Sequence, residues 1–297
     1  MGDSGQRSTL IGVDIGRVNT RVSIFGISEG KYLLQGCEMA GTEFGREGHF
    51  ASGVHEALEM LQENLKQDFI RPLESGAGRL AVDQQAVGQV GLTLSAFPPV
   101  KAALFGVTAR GSLAAGRALA GKLPVQLAGA YGLADLTDEP AVIDSLLQIR
   151  PEILVLTGGT DSGVEEPLTR WVEIVKLVCR VLPENLRPAV FFAGNPNLDP
   201  LVRRRLEPNC RVFTMPNLQP DIDERDDVPS QRTISQQIIA KSMEALPGLL
   251  GLTQLAGDLV GTRGFMLDRM VRFISRSKIQ RLKSDKHEEI LAIDVGA

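Results

Sequence analysis

Two short segments of the sequence, one near each end, combine an apolar run with the tripeptide Asp-x-Gly: Asp14 with Gly16, and Asp294 with Gly296. An aspartate at the end of a buried strand is fixed in position, so its carboxylate can hold a hydrated Mg²⁺ or orient a water. The glycine lets the backbone turn tightly and present N–H groups to phosphate oxygens. Two such turns facing each other would clamp the β- and γ-phosphates of a nucleotide. The pattern predicts Asp14 and Asp294 as catalytic residues that bind Mg²⁺ through water.

Three residues just beyond the first turn add to the predicted nucleotide site: Asn19, Thr20 and Arg21. The Thr20 hydroxyl is a hydrogen-bond donor, and the Arg21 guanidinium neutralises phosphate charge. A single Asp-x-Gly is also an ordinary way to end a strand, so one copy alone says little about function. Two copies, each after a strand and the first followed by further strands, indicate a nucleotide site far more strongly.

A second group of candidate site residues follows two apolar strands in the middle of the sequence. Because ligands of open α/β sheets bind at the carboxyl ends of strands, two loops are expected side by side at a small-molecule or partner site. The alternative is a pair of tight strand-to-helix turns in which Thr160 or Asp161 caps a helix. The residues of the two loops are Gly158, Gly159, Thr160, Asp161, Gly163, Gly194 and Asn195.

The residue pattern along the chain predicts the elements that position these loops. Residues 9–45 have the pattern of three successive strands, and 49–69 that of a helix with leucines at helical spacing. Residues 98–215 alternate short apolar strands with helices, which indicates a parallel sheet covered on both faces. Residues 228–286 contain many helix formers and no strand signal. The predicted fold class is therefore α/β, with a last strand over 288–294.

Composition argues against several classes of function. The 297 residues carry a net charge of −4 and only 5% are aromatic, so neither nucleic acid nor a membrane surface is an expected partner. No apolar run is long enough to span a bilayer, and the sequence starts with polar residues. Three cysteines, far apart and in no C-x-x-C, indicate a reduced, cytoplasmic protein.

The few histidines limit the cofactors and reactions to be expected. They are His49, His55 and His287, all outside residues 98–220. A mutase-type cobalamin site needs an Asp-x-His-x-x-Gly loop, so no bound cobalamin is expected. The sequence also contains no discernible Ser-His-Asp or Cys-His set and no cluster of metal ligands.

Two further segments have the look of sites and are interpreted as structural. Gly111 opens a small-residue run after a strand, like a P-loop, but Arg117 and Ala118 stand where lysine and a hydroxyl residue are needed. A helix packing through small residues is the better interpretation. Arg263–Lys286 is basic and carries an apolar stripe, interpreted as core-facing, with a docking face for an acidic partner as the alternative. The stripe consists of Met266, Met270, Phe273 and Ile274.

Taken in order, these motifs resemble the sugar kinase, actin and chaperone superfamily. More narrowly, they resemble the glutamate mutase accessory proteins called MutL or GlmL, which are unrelated to the mismatch-repair protein of that name. The most specific features are the GGTD and AGN loops, in that order, between the two Asp-x-Gly turns. The matching stretches are GVDIGRVNTRVSIF, KAALFGVTARGSLAAGRALAG, EILVLTGGTDSGVEEP, AVFFAGNP, VFTMPNLQP and ILAIDVGA.

The resemblance implies a domain plan for the chain. It predicts part of an actin-like, ribonuclease H-like ATPase lobe with an inserted parallel-sheet α/β domain and a helical segment. Residues 1–97 would begin the lobe, 98–220 would be the inserted domain, 221–287 a mainly helical region, and 288–297 the start of a second lobe. On this basis the chain is expected to be the N-terminal fragment of a longer protein.

The resemblance also implies a function, namely a chaperone-like factor that reactivates an adenosylcobalamin-dependent mutase such as glutamate mutase. ATP and Mg²⁺ would be its cofactors and the mutase its partner. Arg17 and Val18 depart from the small hydroxyl residues typical of the family, which affects expected hydrolysis more than binding. Ser162 and Val164 stand where the family more often has Gly and Asn. The alternative function is a non-catalytic scaffold with degenerate phosphate turns.

Overall fold

The structure, a computed structural model, describes residues 9–42, 50–71, 81–82, 87–95, 99–161, 165–221, 226–246 and 248–282. These residues form two compact units. Unit 1 combines the described parts of Met1–Phe97 and Gln237–Ala297, and unit 2 contains those of Pro98–Gln236. Among the helices that the structure describes, none is both long enough and apolar enough to cross a membrane.

Unit 1 is built on a five-stranded mixed sheet. Its strands are β1 (Thr9–Ile15), β2 (Asn19–Ser28), β3 (Lys31–Gly41), β6 (Gln89–Leu94) and β12 (Val260–Thr262). A separate two-stranded sheet joins β4 (Ile70–Arg71) to β5 (Ala81–Val82). The order in the larger sheet is β12-β6-β1-β2-β3. β2 runs antiparallel to both of its neighbours, whereas β1, β6 and β12 are parallel to one another.

One face of this sheet forms the core of unit 1. Its helices are α1 (Phe50–Leu65), α7 (Leu249–Ala256) and α8 (Arg263–Leu282), and α6 (Val228–Ala245) contains the boundary between the units. α1 packs on β2 and β3, and α7 packs on β6. Ile11, Val22 and Leu58 are buried on this face. Because successive side chains of a strand point to opposite faces, Asp14 lies on the other face.

The sequence predicts part of unit 1. The three-stranded meander and the helix that follows it are confirmed. β6 has no counterpart among the predicted strands, and the expectation that 228–286 lacks a strand is wrong, since β12 pairs with β6 in parallel. β12 has only three residues, one of them glycine, so local propensity is weak there and pairing with a distant strand decides its conformation.

Unit 2 contains a second sheet of five strands, all parallel. The strands are β7 (Val100–Phe105), β8 (Val125–Tyr131), β9 (Ile153–Gly158), β10 (Ala189–Gly194) and β11 (Val212–Thr214), in the order β11-β10-β9-β7-β8. The helices between them are α2 (Ser112–Ala120), α3 (Glu139–Ile149), α4 (Glu166–Val181) and α5 (Asp199–Leu206). The predicted parallel sheet over 98–215 is confirmed. Its insertion between two Asp-x-Gly turns stays a prediction.

In the core of unit 2, a buried side chain of α4 is hydrogen-bonded to the loop after β7. β9 is buried at every position, as expected of a parallel sheet covered on both faces. On one face Trp171 of α4 is wholly buried, with its ring centroid 5.0 Å from that of Phe105. The Trp171 indole N–H donates to the Gly106 carbonyl at 3.2 Å. This bond fastens α4 to the loop after β7.

Candidate functional site

Backbone hydrogen bonds hold the turn after β1. The Gly16 N–H donates to the Asn19 carbonyl at 2.9 Å, and the Thr42 N–H donates to the Val18 carbonyl at 2.7 Å. A Cβ on Gly16 would lie 2.8 Å from the Asn19 oxygen, so any larger residue would force the turn to open. The Asp-x-Gly pattern therefore builds a tight, fixed turn directly after Asp14.

Asp14 is half-buried and has a register partner on each side, Thr93 of β6 and Arg21 of β2. The Thr93 hydroxyl donates to Asp14 Oδ1 at 2.7 Å. The Ser95 N–H donates to the Ile15 carbonyl at 2.9 Å, so the ends of β6 and β1 are joined. The carboxylate is thus held at the carboxyl ends of two parallel strands, the edge at which α/β sheets bind ligands.

The residues at the tip of the turn are exposed. They include Arg17, Val18, Asn19 and Arg21. Within the described parts of the chain, no ion pair joins Arg21 to Asp14, and neither Arg17 nor Val18 donates its N–H to a backbone carbonyl. The Arg21 guanidinium beside a fixed carboxylate, with two N–H groups of the turn that no described backbone carbonyl accepts from, suits a phosphate group and its metal ion.

Thr20 lies apart from this group. Its register partner is Ile15, and both side chains are wholly buried on the core face of the sheet. The Thr20 and Thr42 hydroxyl oxygens lie 2.8 Å apart and share a hydrogen bond. Thr20 therefore supports the turn from within the core, on the opposite face from Asp14.

The two candidate loops of unit 2 emerge at one edge of its sheet. β9 and β10 are parallel, with Gly158 paired to Gly194, so Thr160 and Asn195 follow the same carboxyl edge, as predicted. Gly158 and Gly159 have φ angles of +136° and +70°, which favour glycine. A Cβ on Gly158 would also lie 2.7 Å from Val107 Cγ2. A ligand shared by the two loops stays a prediction.

Side-chain amides occupy much of the hydrogen-bonding capacity of these loops. Asn217, in the loop after β11, donates from Nδ2 to the Gly159 carbonyl at 2.8 Å and to Asp161 Oδ1 at 2.9 Å. The buried Asn195 accepts from the Asn197 N–H at 3.0 Å. Such bonds favour the interpretation of the loops as supporting turns. The expected helix cap is wrong, however, because α4 begins after Glu165 and neither Thr160 nor Asp161 is its N-cap.

The loop after β7 lies at the switch point of the sheet, where the chain order reverses between β7 and β9. The Ser112 hydroxyl accepts from the N–H groups of Val107 at 2.9 Å and Thr108 at 3.1 Å. A phosphate in this loop would need those same N–H groups. The structure agrees with the rejection of a P-loop, since α2 packs through small residues, with Gly116 close against Leu104.

A family model described as MutL protein matches residues 10–297. The chain belongs to the MutL protein family. The resemblance drawn from the motifs is thereby confirmed over almost the whole sequence. None of the curated proteins compared with the chain matches it.

Two solved structures are weakly similar to this MutL family member. A diol dehydratase-reactivating factor in its nucleotide-free form is 12% identical, with a TM-score of 0.22 and 70% of this chain aligned. The chain spans 30% of that protein's length. The Aquifex aeolicus PPX-GPPA enzyme is 14% identical, with a TM-score of 0.17, over 62% of this chain and 67% of the enzyme. TM-scores this low carry no argument about fold or function.

Sequence reasoning missed two polar residues that contact β1 just before its turn, Thr93 and Ser95. A signal for them exists in β6, where Val90, Leu92 and Leu94 alternate with other residues. Alternation of this kind predicts a strand with Thr93 on the face opposite the leucines. The pairing of that strand with β1, which brings Thr93 to Asp14, has no local signal.

Three predicted site residues lie outside the described residues. They are Asp294 and Gly296 of the second Asp-x-Gly segment, and Gly163 of the GGTD loop. The pairing of Asp14 with Asp294 around one metal ion therefore stays a prediction.

Three of the four residues of the apolar stripe on α8 are exposed, which corrects the favoured core-facing interpretation, and only Met266 is half-buried. Phe273 is 71% exposed, Met270 53% and Ile274 38%. Phe265, near the start of α8, is buried, and the Arg269 guanidinium lies 5.6 Å from its ring centroid. α8 packs on β6 and β12. Docking to an acidic partner stays a prediction.

Proposed function

We propose that this MutL family member is a nucleotide-binding accessory factor that reactivates an adenosylcobalamin-dependent mutase, such as glutamate mutase. The proposal rests on the family match over residues 10–297 and on the polar turn after β1. The mutase is the proposed partner, and ATP and Mg²⁺ are the proposed cofactors. We propose no cobalamin in unit 2, because residues 98–236 contain no histidine.

The strand order of unit 1 supports an actin-like lobe. The order β12-β6-β1-β2-β3, in which β2 alone runs against the other strands, is the one expected of a ribonuclease H-like lobe. In such a lobe the turn between the first two strands faces the nucleotide. We propose 1–97 as the start of the lobe, 98–220 as an inserted domain, 221–287 as a mainly helical region that returns β12 to the sheet of the lobe, and 288–297 as the start of a second lobe.

Each group at the turn has a proposed role. Asp14, with Oδ1 engaged by Thr93, keeps its other oxygen for a water of hydrated Mg²⁺. The N–H groups of Arg17 and Val18 and the guanidinium of Arg21 suit phosphate oxygens. Bound Mg²⁺ would neutralise part of the negative charge on the β- and γ-phosphates.

The remaining predicted residues complete the proposed site. Asn19 is exposed at the turn and offers a side-chain amide, while Gly16 keeps the turn tight. Asp294 and Gly296 are proposed to form the second phosphate turn. Thr20 is proposed to act only through the position of the turn, because its hydroxyl bonds Thr42 in the core.

A scaffold without ATPase activity is the alternative, and the tip of the turn favours it. Val18 is 55% exposed where the family more often has a small hydroxyl residue, and Arg17 precedes it. Neither side chain supplies a hydroxyl near the phosphates. A protein of this kind would recognise the mutase through partner contacts and would bind nucleotide weakly or without turnover.

The test compares Mg²⁺–ATP binding and hydrolysis by the full-length protein with those of its Asp14→Asn variant. Asparagine keeps the volume of the side chain but removes the charge that holds a hydrated metal ion. If one such contact with the reacting phosphates is worth about 3 kcal/mol, turnover falls roughly a hundredfold. Asp258→Asn, at an exposed position of the same unit, is the matched control and should behave as wild type.

Equal binding and turnover in wild type and Asp14→Asn would make Asp14 a structural residue of the turn and favour the scaffold. A second assay addresses the partner by measuring recovery of a glutamate mutase inactivated by damaged cobalamin. ATP-dependent recovery is expected with the wild type and not with Asp14→Asn. Absence of recovery, together with absence of binding to the mutase, would contradict the accessory role.

A further inference from the structure

We propose that Thr93 is a positioning residue for Asp14. Its hydroxyl fixes the carboxylate so that one carboxylate oxygen is engaged and the other is presented to the hydrated metal of a bound nucleotide. The inference rests on the proposed nucleotide site, and it concerns a residue that lies outside both Asp-x-Gly segments.

The parallel pairing of β1 with β6 brings the two side chains together. Thr93 and Asp14 are register partners, and the hydroxyl lies 2.7 Å from Oδ1 but 3.4 Å from the Val13 carbonyl. A hydroxyl has one proton to donate, and the shorter contact, to a charged acceptor, takes it. Leu92 and Leu94 are buried on the opposite face, so the alternation of β6 fixes the face that Thr93 occupies.

Among the side chains that the structure describes, Thr93 is the one that hydrogen-bonds the Asp14 carboxylate. Arg21, the register partner on the other side, forms no ion pair with it within the described residues. Loss of the Thr93 hydroxyl would therefore leave the carboxylate without a described side-chain partner. It would also leave the Arg21 guanidinium available to pull the carboxylate out of place.

The bond orders Asp14 before any ligand arrives. Threonine is stiff about χ1 because it is branched at Cβ, so its oxygen is a fixed donor. A carboxylate that accepts from a fixed donor cannot rotate freely about χ2, and the direction of Oδ2 is thereby set. A preorganised oxygen saves the ordering cost that a mobile carboxylate would incur when metal and nucleotide bind.

The test uses Thr93→Val, which removes the hydroxyl and keeps the volume and the branching suited to a strand. Thr93→Ser, which keeps the hydroxyl, is the conservative control. ATP binding by the full-length protein is titrated with Mg²⁺ and also measured without metal, and the Tm of each variant is recorded. We expect Thr93→Val to need about tenfold more Mg²⁺ and Thr93→Ser to stay within about twofold of wild type. Metal-free affinity for ATP should not change.

Unchanged Mg²⁺ dependence in a folded Thr93→Val protein would overturn the positioning role while leaving the nucleotide site standing. Equal losses with and without metal would overturn it too, because they indicate a structural role. Absence of ATP binding by the wild type would remove both the nucleotide site and the inference. If valine prevents folding, Thr93→Ala gives the same comparison, and rescue by serine alone supports the proposal.

Discussion

The carboxyl edges of the two sheets use their polar groups in opposite ways. In unit 1, among the described residues, the Arg21 guanidinium forms no ion pair and the Arg17 N–H donates to no backbone carbonyl. In unit 2, Asn217, Asn195 and Ser112 bond to backbone groups of their own or neighbouring loops. The same ingredients, an apolar strand followed by glycine and polar residues, thus build an available site in one unit and a self-satisfied edge in the other.

The capping of N–H groups by side chains gives a physical reason for the difference. The turn after β1 is closed by the bond from the Gly16 N–H to the Asn19 carbonyl, and among the described residues no backbone carbonyl accepts from the N–H groups of Arg17 and Val18. The loops of unit 2 contain Asn and Ser side chains that imitate backbone partners and cap neighbouring N–H groups. We therefore expect mutations at the unit 2 edge to affect stability and those at the unit 1 turn to affect ligand binding.

The largest expected effect comes from Trp171→Ala in unit 2. The wholly buried indole fills the core and bonds the Gly106 carbonyl, so its removal should cost about 3–5 kcal/mol of unfolding free energy. Hydrogen exchange should quicken at the Val107 and Thr108 amides, which belong to the loop that Trp171 holds. Denaturant unfolding and hydrogen exchange measure the two effects.

Trp171→Phe separates packing from hydrogen bonding. Phenylalanine keeps most of the ring contact with Phe105 but cannot donate to the Gly106 carbonyl. A loss of about 1–3 kcal/mol is expected for a buried acceptor left without its donor. If Trp171→Phe were as stable as wild type, the hydrogen bond to Gly106 would not stabilise the loop after β7. The proposed difference between the two sheet edges would then lose one of its supports.

Asn217→Ala should have the next largest effect. It removes both bonds that Nδ2 donates to the GGTD loop, to Gly159 and Asp161, in a residue that is only 6% exposed. A loss of about 2 kcal/mol, and a fall in Tm of about 5 °C, is expected. Asn197→Ala is the control, because Asn197 is exposed and its Nδ2 bond to the Asp161 carbonyl is longer, at 3.3 Å. Equal effects of the two would indicate that the loop cluster is not held by Asn217.

How much of this could be predicted from the sequence differs between the units. β9 and β10 of unit 2 are near-continuous apolar runs because the middle of a parallel sheet is covered on both faces, and each such run can be recognised as a strand by itself. In unit 1, β1, β2 and β3 follow one another in the sequence and pair with their sequence neighbours, so their order in the sheet is predictable from the chain. β6 and β12 depend on pairing across long stretches of sequence, for which a single sequence carries no signal.

The residues of the candidate site also differ in whether local sequence or long-range strand pairing determines their role. Asp14 and Gly16 are predictable because their spacing alone creates the turn. Thr93 is not, because its role exists only in the register of β1 with β6. Thr20 has the right type and spacing for a phosphate contact, yet the strand alternation places its hydroxyl in the core. A residue's type and distance in sequence from a motif do not determine the face on which its side chain lies.

Within unit 1, Thr20→Val should lower mainly the stability of the protein, whereas Asp14→Asn should lower mainly its nucleotide binding. Thr20→Val leaves the Thr42 hydroxyl without its partner and should cost about 1 kcal/mol of stability. Asp14→Asn lies on the other face and should change stability by about 0.5 kcal/mol or less while removing Mg²⁺-dependent nucleotide binding. Thermal unfolding and ATP titration of the two variants provide the comparison. The reverse pattern would contradict the assignment of the two faces.

The smallest expected effect concerns Asp199, the first residue of α5, which is an exception to the satisfied edge of unit 2. Its Oδ1 is buried and, among the described residues, has no hydrogen-bond partner. Burial raises the pKa of this carboxyl above its ordinary value, and the charge of Arg203 lowers it by less. The ionised form is therefore less favourable in the folded protein than in the unfolded chain.

The sign of the pH dependence follows from that shift. A carboxyl with a higher pKa in the folded state contributes to stability below its unfolded pKa, and the contribution is lost as pH rises through the folded value. Asp199→Asn, which is never ionised, should avoid that loss and raise Tm slightly at pH 7, with the gain shrinking as the solution is acidified towards pH 3. Asp144→Asn, at an exposed position of α3, is the control. Should Asp199→Asn lower Tm at neutral pH, attraction to Arg203 and to the start of α5 would outweigh burial.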